Sequence, residues 1–493
     1  MGLENDRERF SADDYARFED RLARCLGVLG RLLERSEFGE GDASLGAELE
    51  VALVDAQAKP LPLNEEVLRE TLDERMTVEL DRFNLECNLR HTTLAGRPFT
   101  HLAREIDSAR AELTAAAARH GGRIAMIGIL PTLVESELQS DVMTDAIRYR
   151  ALSRALRERR QGPFQLDIDG DDPLRMSCDD VTFEGAATSF QIHLRTDPDR
   201  FADVFDACQL ATAPVLAASA NSPTFLGHRL WDETRVALFK QAVDEREKPA
   251  RPDRMARVHF GTGWLREGPF ELFRQAVEEY SVLLPVTYEE DPEVALAEGQ
   301  TPGLREIRLH QGTVWHWNRP VYDPHDGGHV RIELRALPSG PTASDMIANA
   351  AFLIGLSLGL APRMKTIRDS FPFEAAHRNF YRAAQSGLDA QLAWPAELAP
   401  GCESAPLHAV MPALGELACE GLVEAGVDRD EIDPLIDQVV ARVAHGRTGA
   451  AWQRSRLASL AQDRPLPEAL GRMLEEYLDR SDSGVPVHLW EES

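Results

Sequence analysis

The sequence predicts an α+β protein with a largely antiparallel sheet, helices packed on one face of that sheet and a C-terminal helical extension. Short segments in which apolar and polar residues alternate recur between helices over roughly the first 340 residues. Strand signals stop after about residue 365, and helical periodicity continues alone. We therefore expect three regions: an N-terminal helix over 1–39, a main domain over 40–390 and a helical region over 391–493.

Each element follows from a local pattern. Apolar residues at helical spacing predict helices over 12–36, 99–120, 145–160, 198–220, 233–244, 343–361 and 374–386, and several more between about 406 and 480. Period-two alternation predicts strands over 45–54, 76–89, 122–130, 188–195, 256–262 and 329–337. Stretches rich in Asp, Gly and Pro predict a loop over 161–180 and a flap or lid over 286–304.

The charge of the chain excludes several classes of partner. Its 493 residues include 82 Asp and Glu against 54 Lys and Arg, a formal net charge of −28. This charge disfavours binding to nucleic acid or anionic lipid, and an anionic ligand would need a local positive site or divalent cations. We expect no membrane span, because the most apolar stretch, 346–362, is interrupted by Asn349.

The compartment is predicted from the N-terminus and the cysteines. The first 30 residues are charged and lack the apolar core of a signal peptide. The six cysteines are scattered and form no CxxC motif, which predicts reduced thiols in a cytoplasmic protein. The sequence leaves the oligomeric state open and is compatible with a homo-oligomer.

Four predicted strands share one feature: a face with ionisable side chains lies opposite a purely apolar face. Side chains alternate between the two faces of a strand, so residues two apart point the same way. In 45–54, for example, Glu48 and Glu50 point away from the leucines. The ionisable side chains of the four strands are Glu48, Glu50, Glu86, His193, Arg195, Arg331, Glu333 and Arg335.

Glu79 tests this interpretation. It lies seven residues before Glu86, an odd spacing that would place the two on opposite faces of one regular strand. The apolar phase also changes between Leu80 and Phe83. A bulge near 81–82 would explain both facts. We therefore predict that Glu79 and Glu86 lie on the same side.

The combined polar face suggests a metal site. For a strand taken singly, a solvated face is the simplest explanation. The combined face, however, lacks lysine and carries five carboxylates and one imidazole. Such carboxylates cannot all stay ionised without cations between them. Oxygen-rich clusters with one histidine suit Mg²⁺ or Mn²⁺, which also bridge phosphates, so we predict that these glutamates hold divalent cations.

At these same residues the chain resembles a known family. The stretches GAELE, ELDRFNLECN, SFQIHL, AASANSPTFLG and ELRALPSGPTASDMIANAAFLIGL, in this order, are similar to motifs of the type 2 glutamate–cysteine ligases. The stretches WDETRVALFKQAVD and TVWHWNRPVYD resemble a subgroup of uncharacterised members. The resemblance covers roughly residues 40–390, which would then be a carboxylate–amine ligase catalytic domain.

The resemblance implies a fold and a reaction. The fold would be glutamine-synthetase-like, and the reaction an ATP- and Mg²⁺-dependent ligation. In this family the carboxylate of one substrate, here the γ-carboxylate of glutamate, attacks the γ-phosphate of ATP. An amine then attacks the acyl phosphate and forms the amide. Cysteine is the amine of the named family, as in glutathione biosynthesis, so the expected partners are a small-molecule amino acid and an amine.

The resemblance also implies residue roles. Arg335 would bind the transferred phosphate, Glu333 would be both a metal ligand and a catalytic residue, and Arg235 would hold the substrate α-carboxylate. Glu79 stands where the family often has Asp. The implied metal ligands are Glu48, Glu50, Glu79, Glu86, His193 and Glu333.

Other functions remain open at this point. One is an ATP-dependent ligase or kinase that acts on another amino acid or a guanidino compound. Another is a catalytically silent homologue that binds nucleotide, although such a protein would be free to lose some of the site residues. Trp315 and Trp317 are explained more simply as core or cross-strand residues than as a purine-stacking or amine pocket.

Overall fold

A computed structural model describes residues 7–246, 255–395, 398 and 404–491. Its helices are α1 (Ala12–Leu33), α2 (Asn64–Glu70), α3 (Pro98–Arg119), α4 (Ile147–Arg160), α5 (Thr182–Gly185), α6 (Phe201–Ser219), α7 (Arg235–Ala242), α8 (Pro269–Glu279), α9 (Pro292–Ala297), α10 (Arg305–Gln311), α11 (Ala343–Leu360), α12 (Met364–Ser370), α13 (Phe373–Ser386), α14 (Leu407–Glu424), α15 (Arg429–His445), α16 (Gly449–Leu460) and α17 (Leu466–Ser483). Its strands are β1 (Ser44–Val54), β2 (Met76–Val78), β3 (Asn84–Thr93), β4 (Arg123–Ala125), β5 (Phe164–Ile168), β6 (Leu174–Cys178), β7 (Phe190–Arg195), β8 (Thr224–Phe225), β9 (His228–Arg229), β10 (Val258–His259), β11 (Trp315–His316), β12 (Asn318–Asp323), β13 (His329–Leu334), β14 (Gln391–Ala393) and β15 (Ser404–Pro406).

Seven of the described strands form one sheet. Their order is β12–β13–β7–β1–β3–β2, and β4 pairs with the end of β1. Every pairing in this sheet is antiparallel. The arrangement confirms the predicted α+β class and the antiparallel sheet. Because β1 lies at the centre, its side chains reach the middle of both faces.

The apolar face of the sheet is buried against a layer of helices. Leu45, Leu49 and Leu53 of β1 are at most 1% exposed. Helix α3 packs on β1 and β3, and α6 and α11 complete the layer. Helix α11 is buried continuously from Asp345 to Leu360. Burial of these apolar surfaces against each other is the main stabilising contribution to the fold.

The two most apolar helical stretches lie inside this core. By length and composition alone, Pro198–Ser219 and Ala343–Ser370 could each cross a membrane, which corrects the expectation that no segment of the chain is apolar enough. In the structure 89% of the apolar window of each is buried, because they contain the central helices α6 and α11. A helix that is apolar on all sides is what such a core position requires.

The segment 76–89 is a hairpin rather than one bulged strand. Strand β2 ends at Val78, β3 begins at Asn84, and Thr77 pairs with Glu86. Side chains 77 and 79 therefore share the face of Glu86, and the apolar phase changes because the chain turns between the two strands. The predicted bulge was wrong, although Glu79 and Glu86 do lie on the same side of the sheet.

Two predicted loops contain regular structure. Within 161–180, β5 and β6 form an antiparallel hairpin, since Leu166 and Ile168 are buried on one face despite the Asp-rich turn that follows. Within 286–304, α9 is fixed to α1 by ion pairs from Arg24 to Asp291 and Glu293. Turn-forming residues are abundant in both segments, so the sequence pattern did not predict the β5–β6 hairpin or α9.

Three further elements differ from the prediction. The strand expected over 256–262 is only β10, which pairs in parallel with β11 outside the main sheet. Strand β12 forms an edge of the main sheet where no strand was predicted. A short β14–β15 pair lies in the region where only helices were expected.

The C-terminal helices pack on the core. Helices α14 and α15 contact α11, and the Arg442 guanidinium of α15 donates to Asp345 Oδ1 over 2.7 Å. Both residues are at most 1% exposed. In α17, Tyr477 Oη accepts from Asn221 Nδ2 and donates to the carbonyl of Met126, each over 2.8 Å. The last helices therefore brace turns that lead into the sheet.

The described cysteines have free thiols, as the sequence predicts. Four are buried and free, namely Cys25, Cys87, Cys178 and Cys208. Cys419 is half-buried and free. Cys402 lies outside the described residues.

Candidate active site

The polar face of the sheet is the floor of a cavity of about 260 Å³, called the main cavity below. Helices α4 and α5 form its rim beside β2, and α8 and α10 form its rim beside β12. A second cavity of about 280 Å³ shares Glu48 and Arg331 with the main cavity and is lined by His193. The glutamates of the main cavity are Glu48, Glu50, Glu79, Glu86, Glu184 and Glu333.

Strand register brings the predicted residues together. Across β1 and β3, Glu50 pairs with Glu86. Across β7 and β13, His193 pairs with Glu333. Directly paired residues have Cβ atoms about 4.5–5.5 Å apart, so their side chains meet on the same face. Residues separated by up to 285 positions in the chain thus share one wall.

Glu48, His193 and Glu333 form the tightest cluster. One ligand atom from each lies within 4.8 Å of the others. His193 Nε2 is 3.2 Å from Glu48 Oε1 and 3.8 Å from Glu333 Oε1, yet it is buried and makes no well-aligned hydrogen bond. His193 Nδ1 accepts from Arg331 Nε over 3.0 Å, so in this ring orientation a neutral imidazole carries its proton on Nε2.

Arginines and His193 keep two of the six carboxylates ionised. Burial opposes ionisation of Glu48, but attraction to His193 outweighs it and lowers the pKa of Glu48 to about 2. Burial likewise opposes ionisation of Glu333, but Arg319 and Arg335 outweigh it and lower the pKa of Glu333. Arg319 forms a two-pronged contact with Glu333, the bidentate geometry that planar guanidinium groups favour.

The carboxylates nearer β2 have raised pKa values instead. Burial, followed by the charge of Glu48, raises the pKa of Glu86 to about 7. Burial, reinforced by Glu86 and Glu50, raises the pKa of Glu79 well above its ordinary value. Burial also raises the pKa of Glu50, despite the attraction of Arg335. This half of the cavity thus has more negative charge than the protein itself neutralises.

Arg335 lies between the two halves. Its Nη1 donates to Gln191 Oε1 and to Glu333 Oε2, the latter over 3.2 Å. Gln191 Nε2 in turn donates to Glu50 Oε1 over 2.8 Å, and the backbone N–H of Ser189 donates to Glu50 Oε2 over 2.6 Å. These bonds fix the orientations of Glu50 on β1 and of Arg335, which follows β13, through Gln191 on the intervening strand β7.

The structure does not bring Arg235 into the cavity. Its side chain is 3% exposed, forms an ion pair with Glu233 over 2.8 Å and donates to the carbonyl of Ala336 over 3.1 Å. Arg235 belongs to α7 and does not line the main cavity, although its charge lowers the pKa of Glu50 against the effect of burial. Its predicted role in holding a substrate carboxylate remains a prediction, and in this arrangement the partner of Arg235 is Glu233.

The donor set fits divalent cations. Glu50, Glu79 and Glu86 supply oxygens, and because burial raises the pKa of each, the positive charge of Mg²⁺ or Mn²⁺ would favour their ionised form. Glu48 and Glu333 add carboxylates beside His193. His193 could bind a metal through Nε2, the nitrogen that faces Glu48 and Glu333. A metal-bound neutral imidazole keeps its proton on the other nitrogen, here Nδ1, so Arg331 would have to stop donating to Nδ1.

Sequence reasoning missed several residues of the main cavity. Glu184 and Arg148 come from helices α5 and α4, and Arg308 comes from α10. None of these lies on a strand with an alternating pattern, so local periodicity carries no signal for them. Arg319 lies on β12, where no strand was predicted, and Gln191 lies on the polar face of the predicted strand over 188–195 but was not assigned to the site. Trp317 is a core residue, 2% exposed, as expected, whereas Trp315 lines the cavity.

An antiparallel sheet whose carboxylate-rich face floors a cavity defines the class of this protein as the glutamine-synthetase-like ligase fold. More particularly, the chain belongs to glutamate–cysteine ligase family 2, whose model matches residues 44–476. The match confirms the family resemblance of the sequence motifs and extends it into the C-terminal helices.

One solved structure of similar length shares this fold. The glutamate–cysteine ligase (gshA) of Francisella tularensis in complex with AMP is 12% identical, with a TM-score of 0.55 over 93% of this chain and 97% of that chain. A bifunctional glutathione synthetase from Pasteurella multocida is 11% identical, with a TM-score of 0.45 over 95% of this chain and 55% of that chain. At such identities the likeness shows the fold alone. No curated protein matches the chain.

Proposed function

We propose that this protein is an ATP-dependent ligase that joins the γ-carboxylate of glutamate to an amine through an acyl-phosphate intermediate. The observation that carries the proposal is the convergence of Glu48, His193, Glu333 and Arg335 on one wall of a cavity, in a chain of this family. A cytoplasmic location, small-molecule substrates and a role in glutathione biosynthesis are parts of the same proposal.

The sheet glutamates have the first role. Glu48, Glu50, Glu79, Glu86, Glu333 and His193 would hold Mg²⁺, with Mn²⁺ as an alternative. When bound, the cations neutralise the phosphates of ATP, which an acidic protein otherwise repels. The hydrogen bonds to Glu50 from Ser189 and Gln191 keep its carboxylate oriented for this purpose.

Arg335 has the second role. Its guanidinium is held by Glu333 and Gln191 and lies beside the carboxylates that would bind the cations. A pre-oriented guanidinium stabilises the charge that spreads over the transferred phosphoryl oxygens. The fixed position means that little reorganisation is needed during the reaction, so Arg335 would contribute mainly to kcat.

The chemistry balances in two steps. An oxygen of the γ-carboxylate attacks the γ-phosphorus of ATP, the bond to the β-phosphate oxygen breaks, and ADP leaves. The amine nitrogen then attacks the acyl carbon, the bond from carbon to the phosphate oxygen breaks, and inorganic phosphate leaves. The nitrogen loses a proton to the departing phosphate or to a site carboxylate, which completes the amide. Both steps gain mainly from positioning and charge neutralisation.

The proposal is tested with purified protein, ATP, Mg²⁺ and glutamate. Hydroxylamine is the first acceptor, because it traps an acyl phosphate as a hydroxamate without any need for the physiological amine. A panel of amines then follows, with ADP and phosphate release as readouts. We expect glutamyl hydroxamate and stimulation by at least one amine. Thermal stabilisation by nucleotide without hydroxamate or turnover would instead favour the catalytically silent homologue.

A further inference from the structure

Arg331 is hydrogen-bonded to a histidine of the metal cluster and to an aspartate. Its Nε donates to His193 Nδ1 over 3.0 Å, and its Nη1 donates to Asp323 Oδ2 over 2.7 Å. Arg331 lies two residues before Glu333 on β13, and Glu333 pairs with His193 on β7, so the guanidinium reaches the ring from the neighbouring strand. Arg331 also lines both the main cavity and the second cavity.

The direction of the bond to His193 is opposite to the one that supports a metal-bound histidine. Histidine ligands usually donate their other ring N–H to a carboxylate, a carbonyl or water, which leaves the lone pair on the metal side. Here Nδ1 is the acceptor, because a guanidinium has donors only. The nitrogen that faces Glu48 and Glu333, Nε2, then carries the proton of the neutral ring and has no free lone pair.

The cluster thus has the spacing of a metal site but a tautomer that cannot bind a metal. One ligand atom from each of Glu48, His193 and Glu333 lies within 4.8 Å of the others. His193 is 7% exposed, and among the described residues its Nε2 has no well-aligned acceptor, although Glu48 Oε1 is 3.2 Å away. Asp323 supports this arrangement, because its carboxylate holds the guanidinium of Arg331 in place.

We propose that Arg331 is a positioning residue that opposes metal binding at His193 in the free protein. A metal ion can use Nε2 only if the ring proton moves to Nδ1 and the hydrogen bond from Arg331 breaks, so the loss of that bond weakens binding. The ring is neutral before and after this exchange. An ordinary partner of a histidine ligand strengthens metal binding, and Arg331 has the reverse effect. This inference rests on the metal site of the proposed function.

The tautomer of His193 provides the first test. Long-range ¹H–¹⁵N correlation spectra of the metal-free protein report which ring nitrogen carries the proton, and the signals of His193 are identified by their loss in His193→Gln. We expect the proton on Nε2 in the wild type. In Arg331→Gln we expect it mainly on Nδ1, because the glutamine carbonyl oxygen can accept from Nδ1–H. A proton on Nδ1 in the wild type would overturn the inference without any need for a variant of Arg331.

Metal affinity provides the second test, with Mn²⁺ as the probe and electron paramagnetic resonance as the measure of free ion. The binding that is lost in His193→Gln is the binding assigned to this histidine. We expect Arg331→Gln to bind Mn²⁺ there about tenfold more tightly than the wild type. Unchanged or weaker binding would contradict the proposal, because loss of an ordinary supporting partner weakens metal binding about 10–100-fold.

Arg195→Gln is the matched control for charge. Arg195 pairs with Arg331 across β7 and β13 and lines the second cavity. Its Nη2 donates to the carbonyl of Glu40 over 2.5 Å, and within the described residues it makes no hydrogen bond to His193. Each variant removes one positive charge near the site, which by itself favours cations. We expect the gain in affinity to be at least about fivefold larger in Arg331→Gln than in Arg195→Gln. Equal gains would mean that Arg331 acts through its charge alone and would end the inference.

Failure of the proposed function has a different signature. Absence of glutamyl hydroxamate in the wild type would refute the ligase assignment, whichever nitrogen of His193 carries the proton. Equal Mn²⁺ binding in His193→Gln and in the wild type would refute the metal role of His193, and the inference with it.

Discussion

The six glutamates of the main cavity ionise differently because each carboxylate touches different partners. Glu48 faces His193, Glu333 faces Arg319 and Arg335, and the pKa values of both glutamates are lowered. Within the described residues no cationic side chain forms an ion pair with Glu86 or Glu184, and burial raises the pKa of each to about 7. The same residue type on the same wall therefore has either a lowered or a raised pKa, and divalent cations would replace the proton on Glu86.

Glu50→Gln tests the metal role of a residue held in place by two hydrogen bonds. The amide has nearly the same shape but no charge, so we expect a folded protein whose Mg²⁺-dependent ATP turnover falls at least about a hundredfold. ADP release measures turnover, and circular dichroism checks the fold. Full activity in this variant would contradict the metal assignment.

The raised pKa of Glu86 predicts a pH-dependent stability of the metal-free protein. The folded-state pKa of about 7 exceeds the ordinary value of 4.5, so the unfolded chain releases this proton first as pH rises. Stability from this group is therefore lost progressively between about pH 4.5 and about pH 7, on the order of 1–3 kcal/mol. Added Mg²⁺ should stabilise the protein more at about pH 8 than at about pH 5.5.

Glu86→Gln is the matched variant for that measurement. Without the carboxylate, the metal-free protein should unfold at a higher temperature than the wild type at about pH 8, by about 1–3 °C, and Mg²⁺ should stabilise it less. Thermal unfolding in EDTA and in Mg²⁺ at both pH values provides the comparison. An equal Mg²⁺ effect in variant and wild type would exclude Glu86 as a ligand.

Short helices also bring side chains to the main cavity, in addition to those on the strands. Helix α5 has only four residues, yet it brings Glu184 over the cavity and rests on Asp81, which follows β2. Asp81 is fully buried, and neither of its carboxylate oxygens has a hydrogen-bond partner among the described residues. Burial, followed by the charge of Glu184, raises the pKa of Asp81 well above its ordinary value. The close contact between α5 and the β2–β3 turn leaves no room for a larger residue at 185.

Gly185→Ala tests this contact. A Cβ at position 185 would lie 2.5 Å from Asp81 Cγ, so either α5 or the turn has to move. We expect a loss of about 1–3 kcal/mol in the free energy of unfolding and a lower rate of amide formation. Gly162→Ala is the control, because nothing lies within 4 Å of its added Cβ. Denaturant titration measures the free energy of unfolding of both variants. Equal values for Gly185→Ala and Gly162→Ala would show that α5 can shift without cost.

The whole molecule depends on contacts between its C-terminal helices and its central core helix. Arg442 and Asp345 pair where both are at most 1% exposed, and Arg442 also donates to Asn349. Asp345 additionally accepts from the backbone N–H of Val487 over 3.1 Å. Through these bonds the chain beyond residue 430 is joined to α11 and so, indirectly, to the sheet.

Arg442→Met should therefore destabilise the entire protein. It leaves the Asp345 carboxylate buried without its cation, and removal of one partner of a buried pair lowers the free energy of unfolding by about 3–5 kcal/mol. The double variant Arg442→Met/Asp345→Asn should recover part of this loss, because no uncompensated charge remains. Denaturant unfolding measures both. A loss below about 1 kcal/mol in the single variant would mean that the C-terminal helices contribute little.

The predictable part of the site is the part that lies on strands. Glu48, Glu50, Glu86, His193 and Glu333 were identified from period-two alternation, and all of them face the cavities. Alternation is a local property of extended backbone, so it can be deduced without knowledge of the partner strands. Glu79 was placed correctly but for the wrong reason, because a short turn and a bulge shift the apolar phase in the same way.

By itself the sequence determined which residues are apolar or charged on each strand, and hence that one face of an antiparallel sheet is acidic. Only the tertiary structure decided which helical residues border that face, so Glu184, Arg148 and Arg308 came from the fold. It also decided that Arg235 pairs with Glu233. The physical reason is distance along the chain: backbone geometry sets the direction of neighbouring side chains, whereas packing of remote elements sets which charges meet.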